Sequence, residues 1–290
     1  MTRLRLAVSG AGRAFERLYL PAIATSPDFD LVGVADPRLE RFAVVPGSAA
    51  RAGSAAELLE RTKPDALIVL SPPERHAADA IAAMDRTVPV LVEKPMCQTE
   101  AEVEALRGAG AERLLTPALT RRYWPVYRAI AARGPAWDIA IRLRSDPAAW
   151  EAVDAASGPL DDLAPHVIDL ARYLSGSPIG EVLAERHARG VALAFSMESG
   201  AAARIILEWP GEYREAIRAD GKARRAGPPS AAASLLRRVA RRPDPPVAAI
   251  GHMLADWARH LRGDLTVALP AFDDGAAAVA TVTRIRERLG

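Results

Sequence analysis

Cysteine, lysine and long apolar runs are all scarce in this sequence. Cys97 is the only cysteine, which excludes an internal disulfide and fits a reducing cytoplasm, where we therefore expect the protein. No stretch reaches the roughly 18 uninterrupted apolar residues that a bilayer-spanning helix needs, so we expect no membrane partner. Lys63, Lys94 and Lys222 are the only lysines among 38 basic residues, so arginine serves almost wherever a plain positive charge is needed.

The overall composition is that of an ordinary globular protein. A chain of 290 residues with 50% hydrophobic and 26% charged residues predicts about two domains with real cores. The net charge is only +2, and the basic surplus is local. It lies in a proline-rich region, residues 221–246, that carries Lys222, Arg224, Arg225, Arg237, Arg238, Arg241 and Arg242. Because no aromatic residues are interleaved, we predict a solvated loop and no nucleic-acid partner.

The first chemical motif is a glycine turn between a strand and a helix. Residues 4–9 form an apolar strand, Gly10 and Gly12 follow, and a helical pattern comes next. Such a turn lets a pyrophosphate approach backbone N–H groups at the positive end of the helix dipole. Phe15 stands where the fingerprint has its third glycine, so a plain glycine turn stays an alternative. The residues assigned to this site are Gly10, Gly12, Arg13 and Ala14.

The next strand, residues 31–35, ends on an acidic residue. Asp36 lies 24 residues after Gly12, against roughly 20 in dinucleotide-binding units. A carboxylate there accepts hydrogen bonds from a ribose diol and repels a 2′-phosphate, so we predict NAD as the cofactor. Arg38 could pair with such a phosphate, which keeps NADP as the alternative.

Lys94 marks the end of another buried strand. The run 88–92 is apolar and rich in valine, and Glu93-Lys94-Pro95 ends it because proline cannot continue the ladder. Ligands of open α/β sheets lie at the carboxyl ends of the strands. An ammonium can give up its proton when desolvated and a guanidinium cannot, so we predict a catalytic lysine. A solvent-facing ion pair of Glu93 with Lys94 is the alternative.

Strands and helices alternate through the first 118 residues. The strand 66–70 ends at Ser71-Pro72-Pro73, and a helix over 74–84 follows, with His76 as a solvent-facing residue near its start. The alternation predicts a doubly wound parallel sheet over residues 1–118. Residues 119–290 are predicted to form a second α/β domain with a mostly antiparallel sheet. Its strands are predicted at 139–144, 182–187, 191–196, 201–209 and 214–220.

An acidic and histidine-containing helix interrupts this second set of strands. Asp162, His166 and Asp169 lie at i, i+4 and i+7, so they share one face if the helix already includes Asp162. If the helix begins near Pro165, His166 lies at its N-terminus, where the dipole favours a neutral imidazole and hence a usable base. A structural histidine and a metal site are the alternatives, and we expect no metal.

Three of these segments, in this order, resemble the Gfo/Idh/MocA oxidoreductases. Ser71-Pro72-Pro73-Glu74-Arg75-His76 resembles the family's T/S-P-P-x-x-H segment, and Glu93-Lys94-Pro95 its E-K-P motif. The run 162–170 is similar to its D-x-G-x-H-x-x-D signature, with Ala164 in place of the glycine. The resemblance covers nearly the whole chain and implies a Rossmann domain followed by a substrate-binding and oligomerisation domain.

The resemblance also implies roles for individual residues. It places Lys94, Asp162 and His166 in the catalytic set, with Asp162 and His166 also touching substrate. Arg122 and Tyr123 resemble a segment that borders the substrate cleft. It adds Ser71, Pro72, His76, Glu93 and Lys94 to the cofactor-binding residues. Together with the apolar strand faces of the second domain, it implies a homo-oligomer, a dimer or a tetramer.

The activity implied is hydride transfer between a nicotinamide and a hydroxyl or ketone carbon of a sugar, cyclitol or related small polar metabolite. His166 would take the hydroxyl proton, Lys94 would hold the oxygen, and Asp162 would bind substrate or orient His166. The alternatives are an NADPH-dependent ketoreductase of nucleotide-sugar or secondary-metabolite synthesis, an NAD-dependent glycosidase, and a non-catalytic dinucleotide-binding sensor.

Overall fold

The computed structural model describes residues 2–146, 158–227 and 243–290, so the arginines predicted at 237–242 lie outside the described residues. The chain forms two compact units. One unit comprises Met1–Leu119 and Pro246–Ala276, and the other comprises Thr120–Pro245 and Ala277–Gly290.

The first unit contains a six-stranded parallel sheet. Its strands are β1 (Leu4–Ser9), β2 (Phe29–Ala35), β3 (Ala50–Ala52), β4 (Ala66–Val69), β5 (Val90–Val92) and β6 (Leu115–Pro117). Their order is β3-β2-β1-β4-β5-β6, and every neighbouring pair is parallel. This is the doubly wound order, in which the direction of winding reverses between β1 and β4. The predicted fold class is confirmed for this half, and β3 is a strand that the sequence did not indicate.

Helices alternate with these strands, and the one predicted over 74–84 begins one residue earlier, at Pro73. They are α1 (Leu20–Ala24), α2 (Ala55–Thr62), α3 (Pro73–Met84), α4 (Glu100–Gly108) and α5 (Ala111–Leu114). Thr99 and Glu102 form a complete capping box before α4, because each side chain bonds the other residue's backbone N–H. Such local bonds stop the helix starts from shifting along the chain.

The helical segment after the glycine turn contains one wide turn. Phe15–Tyr19 is π-helical and leads into α1, and the side chains of Phe15 and Tyr19 are fully buried. A glycine at the position of Phe15 would let the helix pack closely on the sheet. We attribute the wide turn to the bulk of Phe15, because a π-turn accommodates one extra residue per turn.

The second unit contains a mixed, mostly antiparallel sheet, as predicted. Its strands are β7 (Asp138–Arg144), β8 (Ile179–His187), β9 (Gly190–Met197), β10 (Ala202–Glu208), β11 (Arg214–Ala219) and β12 (Lys222–Arg225), in the order β12-β11-β7-β10-β9-β8. The pair β10–β7 is parallel and the other pairs are antiparallel. The predicted loop at 221–246 is wrong at its start, because β12 continues the ladder from β11 after a turn at Gly221.

Helices α6 (Pro125–Ala131) and α7 (Gly158–Ser175) lie in the same unit as this sheet. Helix α7 packs against β7, β9 and β10. It begins well before Asp162, so Asp162, His166 and Asp169 share one face of one helix. The alternative in which the helix begins near Pro165 is wrong. His166 therefore lies in the helix interior. The helix dipole affects charge only in the first turn, so the predicted stabilisation of a neutral imidazole by the dipole does not apply to His166.

The last helices are α8 (Pro245–Leu261) and α9 (Phe272–Leu289). Residues from α8 onward as far as Ala276 group with the first unit, whereas the predicted domain division assigned them to the second. Arg262 pairs with Asp28 at 2.6 Å, and the ring of Trp257 lies 5.7 Å from that of Phe29. The division of the chain into a cofactor domain, 1–118, and a substrate domain, 119–290, stays a prediction. Across the described residues, no helix combines the length and the apolar character needed to cross a membrane.

Candidate active site

The backbone after β1 lies directly against the backbone after β4. Gly10 has φ +99°, and a Cβ on it would lie 2.4 Å from both the carbonyl carbon and the oxygen of Leu70. Only glycine fits there, because real Cβ atoms do not come so close to backbone. A Cβ on Gly12, in contrast, would meet no atom within 4 Å. The turn is therefore closed towards β4 and open at Gly12, as a pyrophosphate cradle requires.

Ser71 supplies an unsatisfied hydroxyl at the same edge of the sheet. It lies two residues after the end of β4, and its backbone nitrogen would lie 2.5 Å from a Cβ on Gly10. The Ser71 Oγ atom is buried and has no hydrogen-bond partner within the described part of the chain. Buried hydroxyls are normally paired, so this one is explained if a ligand group completes it. The residues present thus fit a dinucleotide.

Asp36 is buried at the carboxyl end of β2, and both of its carboxylate oxygens accept hydrogen bonds. Oδ2 accepts from the Ala11 backbone N–H at 3.0 Å, and Oδ1 accepts from the Arg38 backbone N–H at 2.9 Å. The Arg38 Nε atom lies 3.3 Å from Oδ1. The carboxylate thereby links the glycine turn to β2, and the guanidinium of Arg38 lies beside it, where a 2′-substituent of the ribose would be read.

A buried tyrosine and a backbone N–H hold Glu93 at the end of β5. The Tyr19 hydroxyl donates to Oε1 at 2.8 Å, and the Lys94 backbone N–H donates to Oε2 at 2.8 Å. Burial, and next the charge of Glu93, raise the pKa of Tyr19 well above its usual value, so the hydroxyl remains a donor. Glu93 thus shapes the loop that carries Lys94, and Lys94 itself is half-buried. The sequence did not single out Tyr19.

His76 is buried, and the prediction of a solvent-facing residue is wrong. Only 2% of its surface is exposed. Its Nδ1 lies 2.7 Å from the carbonyl oxygen of Pro95, and its Nε2 lies 2.7 Å from that of Ser71. Both ring nitrogens are therefore engaged by backbone, and the ring joins the two loops instead of pointing into solvent.

Cys97 lies close to Lys94 in sequence but is unsuited to act as a nucleophile. Its thiol is buried and lies 3.7 Å from the carbonyl oxygen of Thr99. Burial, with a smaller effect of Glu102, raises the pKa of the thiol to about 12. The reactive thiolate is therefore scarce at neutral pH.

On the second unit, the predicted residues of α7 meet Arg122. The Arg122 Nε atom lies 3.1 Å from each carboxylate oxygen of Asp169, which is 1% exposed. The guanidinium also lies 5.0 Å from the ring centre of Tyr173. Arg122, predicted to contact substrate, thus holds α7 one turn after His166. Asp162 is buried, and His166 is half-buried on the same helix face.

The segment before α6 contains a polar cluster that the sequence did not indicate. Arg121 donates through Nε to Glu215 Oε1 at 2.9 Å, and the hydroxyls of Tyr127 and Tyr213 donate to the two oxygens of Glu215. Glu215 is only 2% exposed. Tyr123, predicted to contact substrate, is buried beside this cluster in sequence, with the guanidinium of Arg128 4.8 Å from its ring centre. No pattern in the sequence near Arg121 indicates that its partner is Glu215, 94 residues away.

A metal site finds no support in the structural description. In residues 2–146, 158–227 and 243–290, no three His, Cys, Asp or Glu side chains are grouped as ligands would be. The first unit carries a candidate dinucleotide-binding edge, and the second unit carries a polar face of α7 with Asp162, His166 and Asp169.

Comparison with known proteins agrees with this arrangement. Residues 4–113 match the model of the oxidoreductase family GFO_IDH_MocA, described as having an NAD-binding Rossmann fold. Over these residues the chain is similar to the Gfo/Idh/MocA oxidoreductases. The match includes the Ser71–His76 and Glu93–Pro95 motifs, so the predicted resemblance is confirmed for these two, and so is NAD as the cofactor of the first unit. The run 162–170 lies outside the matched residues.

Two curated relatives show how far the similarity extends. Inositol 2-dehydrogenase 2 of Paenarthrobacter aurescens (strain TC1) is 30% identical over 161 residues, 48% of this chain and 46% of the relative. D-glucoside 3-dehydrogenase of Escherichia coli (strain K12) is 25% identical over 201 residues, 60% of this chain and 55% of the relative. The chain thus spans about half the length of these curated relatives.

One solved structure shows that the likeness in fold extends over both units. A myo-inositol dehydrogenase from Corynebacterium glutamicum ATCC 13032 superposes with a TM-score of 0.80 and covers 99% of this chain and 97% of its own. Its sequence identity is 24%, so this comparison shows a shared fold alone.

Proposed function

We propose that this protein is an NAD-dependent oxidoreductase that transfers hydride between the nicotinamide and a hydroxyl or ketone carbon of a sugar, cyclitol or related small polar metabolite. The proposal rests on the order of three chemical groups along one edge of the parallel sheet. The glycine turn, Ser71 and Lys94 follow β1, β4 and β5, which are neighbours in the order β1-β4-β5. The names of the two curated relatives support the substrate class.

When bound, the nicotinamide supplies the hydride acceptor or donor. The N–H groups from Gly12 to Ala14 bind the pyrophosphate, and Asp36 binds the adenosine ribose. Ser71 donates its unsatisfied hydroxyl to the same cofactor. Pro72, Glu93 and His76 serve the cofactor indirectly by shaping the loops. NADP stays an alternative cofactor, because the guanidinium of Arg38 lies beside the carboxylate of Asp36 and could pair with a 2′-phosphate.

Lys94 holds the substrate oxygen and stabilises the charge that develops on it. His166 takes the hydroxyl proton in oxidation and returns it in reduction. Asp162, one turn before His166 on α7, binds substrate or orients the imidazole. Arg122 acts through Asp169 by holding α7, and Tyr123 packs beneath Arg128.

Nicotinamide absorbance, followed in both directions across sugars, cyclitols and their ketones, tests this proposal. Turnover of at least one such substrate is expected, and His166→Ala should lower it by about 10²–10⁴-fold with dinucleotide affinity unchanged. His252→Ala is the matched control, because His252 is exposed on α8. Tight dinucleotide binding without turnover of any substrate would favour the sensor function instead.

We further propose a homo-oligomer in the cytoplasm. The face of the second sheet opposite α7 exposes Leu183 and Ile206, whose surfaces are 56% and 38% accessible. On β9, Ala194 lies opposite Leu183 and Ala192 lies opposite Ile206, so these side chains form a small apolar strip, beside the exposed Arg142, that could pack against another copy. Light scattering at micromolar concentration should give a multiple of 31.0 kDa, and a monomer would refute the assembly.

A further inference from the structure

The ring of His76 is enclosed between two loops of the first unit. It lies in the first turn of α3, with 2% of its surface exposed. One nitrogen faces the carbonyl oxygen of Ser71, just after β4, and the other faces that of Pro95, just after β5. Ser71 carries the unsatisfied hydroxyl, and Pro95 directly follows Lys94, so the ring joins the loops that carry two proposed site residues.

The two neighbours of the ring impose a chemical condition. A carbonyl oxygen only accepts hydrogen bonds, and a neutral imidazole has one N–H donor. A neutral ring would therefore set a lone pair against one of the two oxygens at 2.7 Å, whereas an imidazolium donates to both. Both contacts are hydrogen bonds only in the doubly protonated form.

The surroundings of the ring have opposing effects on its second protonation. Burial lowers the pKa of His76 below its usual value, and the two carbonyl oxygens and the carboxylates of Glu93 and Asp79 partly oppose this. Glu93 also accepts from Tyr19. Asp79, further along α3, accepts a hydrogen bond from the Ser9 hydroxyl at 2.8 Å and lies 3.3 Å from Arg75 Nη2. The carboxylates of Glu93 and Asp79 are therefore both held in place. The doubly bridged form is therefore reached on the acid side of the ordinary histidine range.

We propose that His76 is a positioning residue that sets the separation of the Ser71 and Lys94 loops. As an imidazolium it donates to both carbonyl oxygens, and as a neutral ring it donates to only one of them. This role deepens the proposed function, on which its meaning for catalysis rests. The bridge closes as the pH falls, and its closure brings the hydroxyl of Ser71 and the amine of Lys94 to their working separation.

Heteronuclear NMR of the histidine rings tests the bridge without any dinucleotide. In the wild-type protein the His76 ring should titrate below the ordinary histidine value, because the ring is buried. Both ring N–H protons of its acid form should be protected from exchange with water. Titration of the His76 ring at or above the ordinary histidine value, with ring N–H exchange as fast as in the exposed His187 and His252, would overturn the proposal. Glutamine variants of the other four histidines identify the His76 signal even if its own variant does not fold.

The His76→Gln variant tests the consequence for the loops. A glutamine amide reaches one carbonyl, so hydrogen exchange should speed up in the segments 70–72 and 93–97 and stay unchanged for His252→Gln. NADH affinity of the wild type should rise about threefold to tenfold as the pH falls through the ring's titration, the scale of one hydrogen bond, and His76→Gln should lack this rise. Unchanged exchange, or the same pH dependence in both proteins, would overturn the role.

These readouts separate the two proposals. A wild-type protein that binds no dinucleotide would end the proposed function, while ring titration and hydrogen exchange would still decide whether His76 bridges the loops. A protein that binds and turns over, but whose His76 titrates like an exposed histidine, would end only the bridge.

Discussion

Arg122 holds Asp169 through a two-pronged ion pair, in which the Arg122 Nε atom lies 3.1 Å from both carboxylate oxygens. Asp169 is buried on α7, three residues after His166. The segment Thr120–Tyr123 thereby fixes the helix that carries the proposed proton acceptor. The rigidity of this part of the site depends on a residue that the sequence had associated with the substrate.

Arg122→Gln should lower the free energy of unfolding by about 1–3 kcal/mol, because a buried carboxylate loses its charged donor. Arg122→Lys should restore only part of this, since an ammonium cannot bond both oxygens as a planar fork does. Urea denaturation measures both. Arg214→Gln is the control, because Arg214 pairs with Glu212 in water and such pairs contribute about 0–1 kcal/mol. Equal losses for Arg122→Gln and Arg214→Gln would contradict the structural role.

Lys94→Arg should reduce turnover at least about a hundredfold while folding and NAD binding stay intact. A guanidinium is bulkier and permanently charged, so it should misplace the substrate oxygen and exchange no proton. Steady-state kinetics and calorimetric titration with NAD measure the two effects. Lys63→Arg is the matched control, because Lys63 is exposed at the end of α2 and should tolerate the change. Near wild-type turnover for Lys94→Arg would refute its catalytic role.

NAD(H) should bind at least as tightly as NADP(H), because the buried carboxylate of Asp36 would oppose a 2′-phosphate. Arg38→Gln should weaken NADP(H) binding more than NAD(H) binding, because the Arg38 guanidinium lies beside Asp36, where a 2′-phosphate would bind. Calorimetry with both cofactors decides the matter, with Arg61→Gln on α2 as the control. A tenfold preference of the wild type for NADP(H), about 1.4 kcal/mol, would contradict the assignment.

Glu208 should give the protein a pH-dependent share of its stability in acid. Its hydrogen bonds to Arg142, at 3.0 Å and 2.8 Å, lower the pKa of the carboxyl group from its ordinary 4.5. The folded state then binds the proton less readily than the unfolded state. The stabilisation is therefore present above the ordinary value and is lost as the pH falls through the lowered folded value.

Urea midpoints measured between neutral and acid pH check this. Glu208→Gln should lose stability at neutral pH and show a smaller decline on acidification than the wild type. Glu185→Gln, which changes an exposed side chain on β8 of the same sheet, should leave the decline unchanged. The same decline in the wild type and Glu208→Gln would show that another group controls acid unfolding.

The elements that the sequence predicted well are those set by neighbouring residues. The strand 4–9, the helix over 74–84, and the shared face of Asp162 and His166 all depend on contacts within a few positions. Alternation of strands and helices then leaves few topologies open, so the doubly wound sheet follows from local patterns. The start of α7 was left open because Pro165 suits a first turn, and the structure shows that it also lies within a longer helix.

Tertiary structure alone decided which of these residues meet. The sequence by itself determined the parallel sheet, the glycine turn and the placement of Lys94 at a strand end, because backbone sterics, hydrophobic period and proline act locally. Packing determined that His76 is buried between two carbonyl oxygens, that Tyr19 donates to a residue 74 positions away, and that Arg122 pairs with one 47 positions away. Such pairs carry no local signal, since a side chain finds its partner only after distant elements have packed and removed both from water.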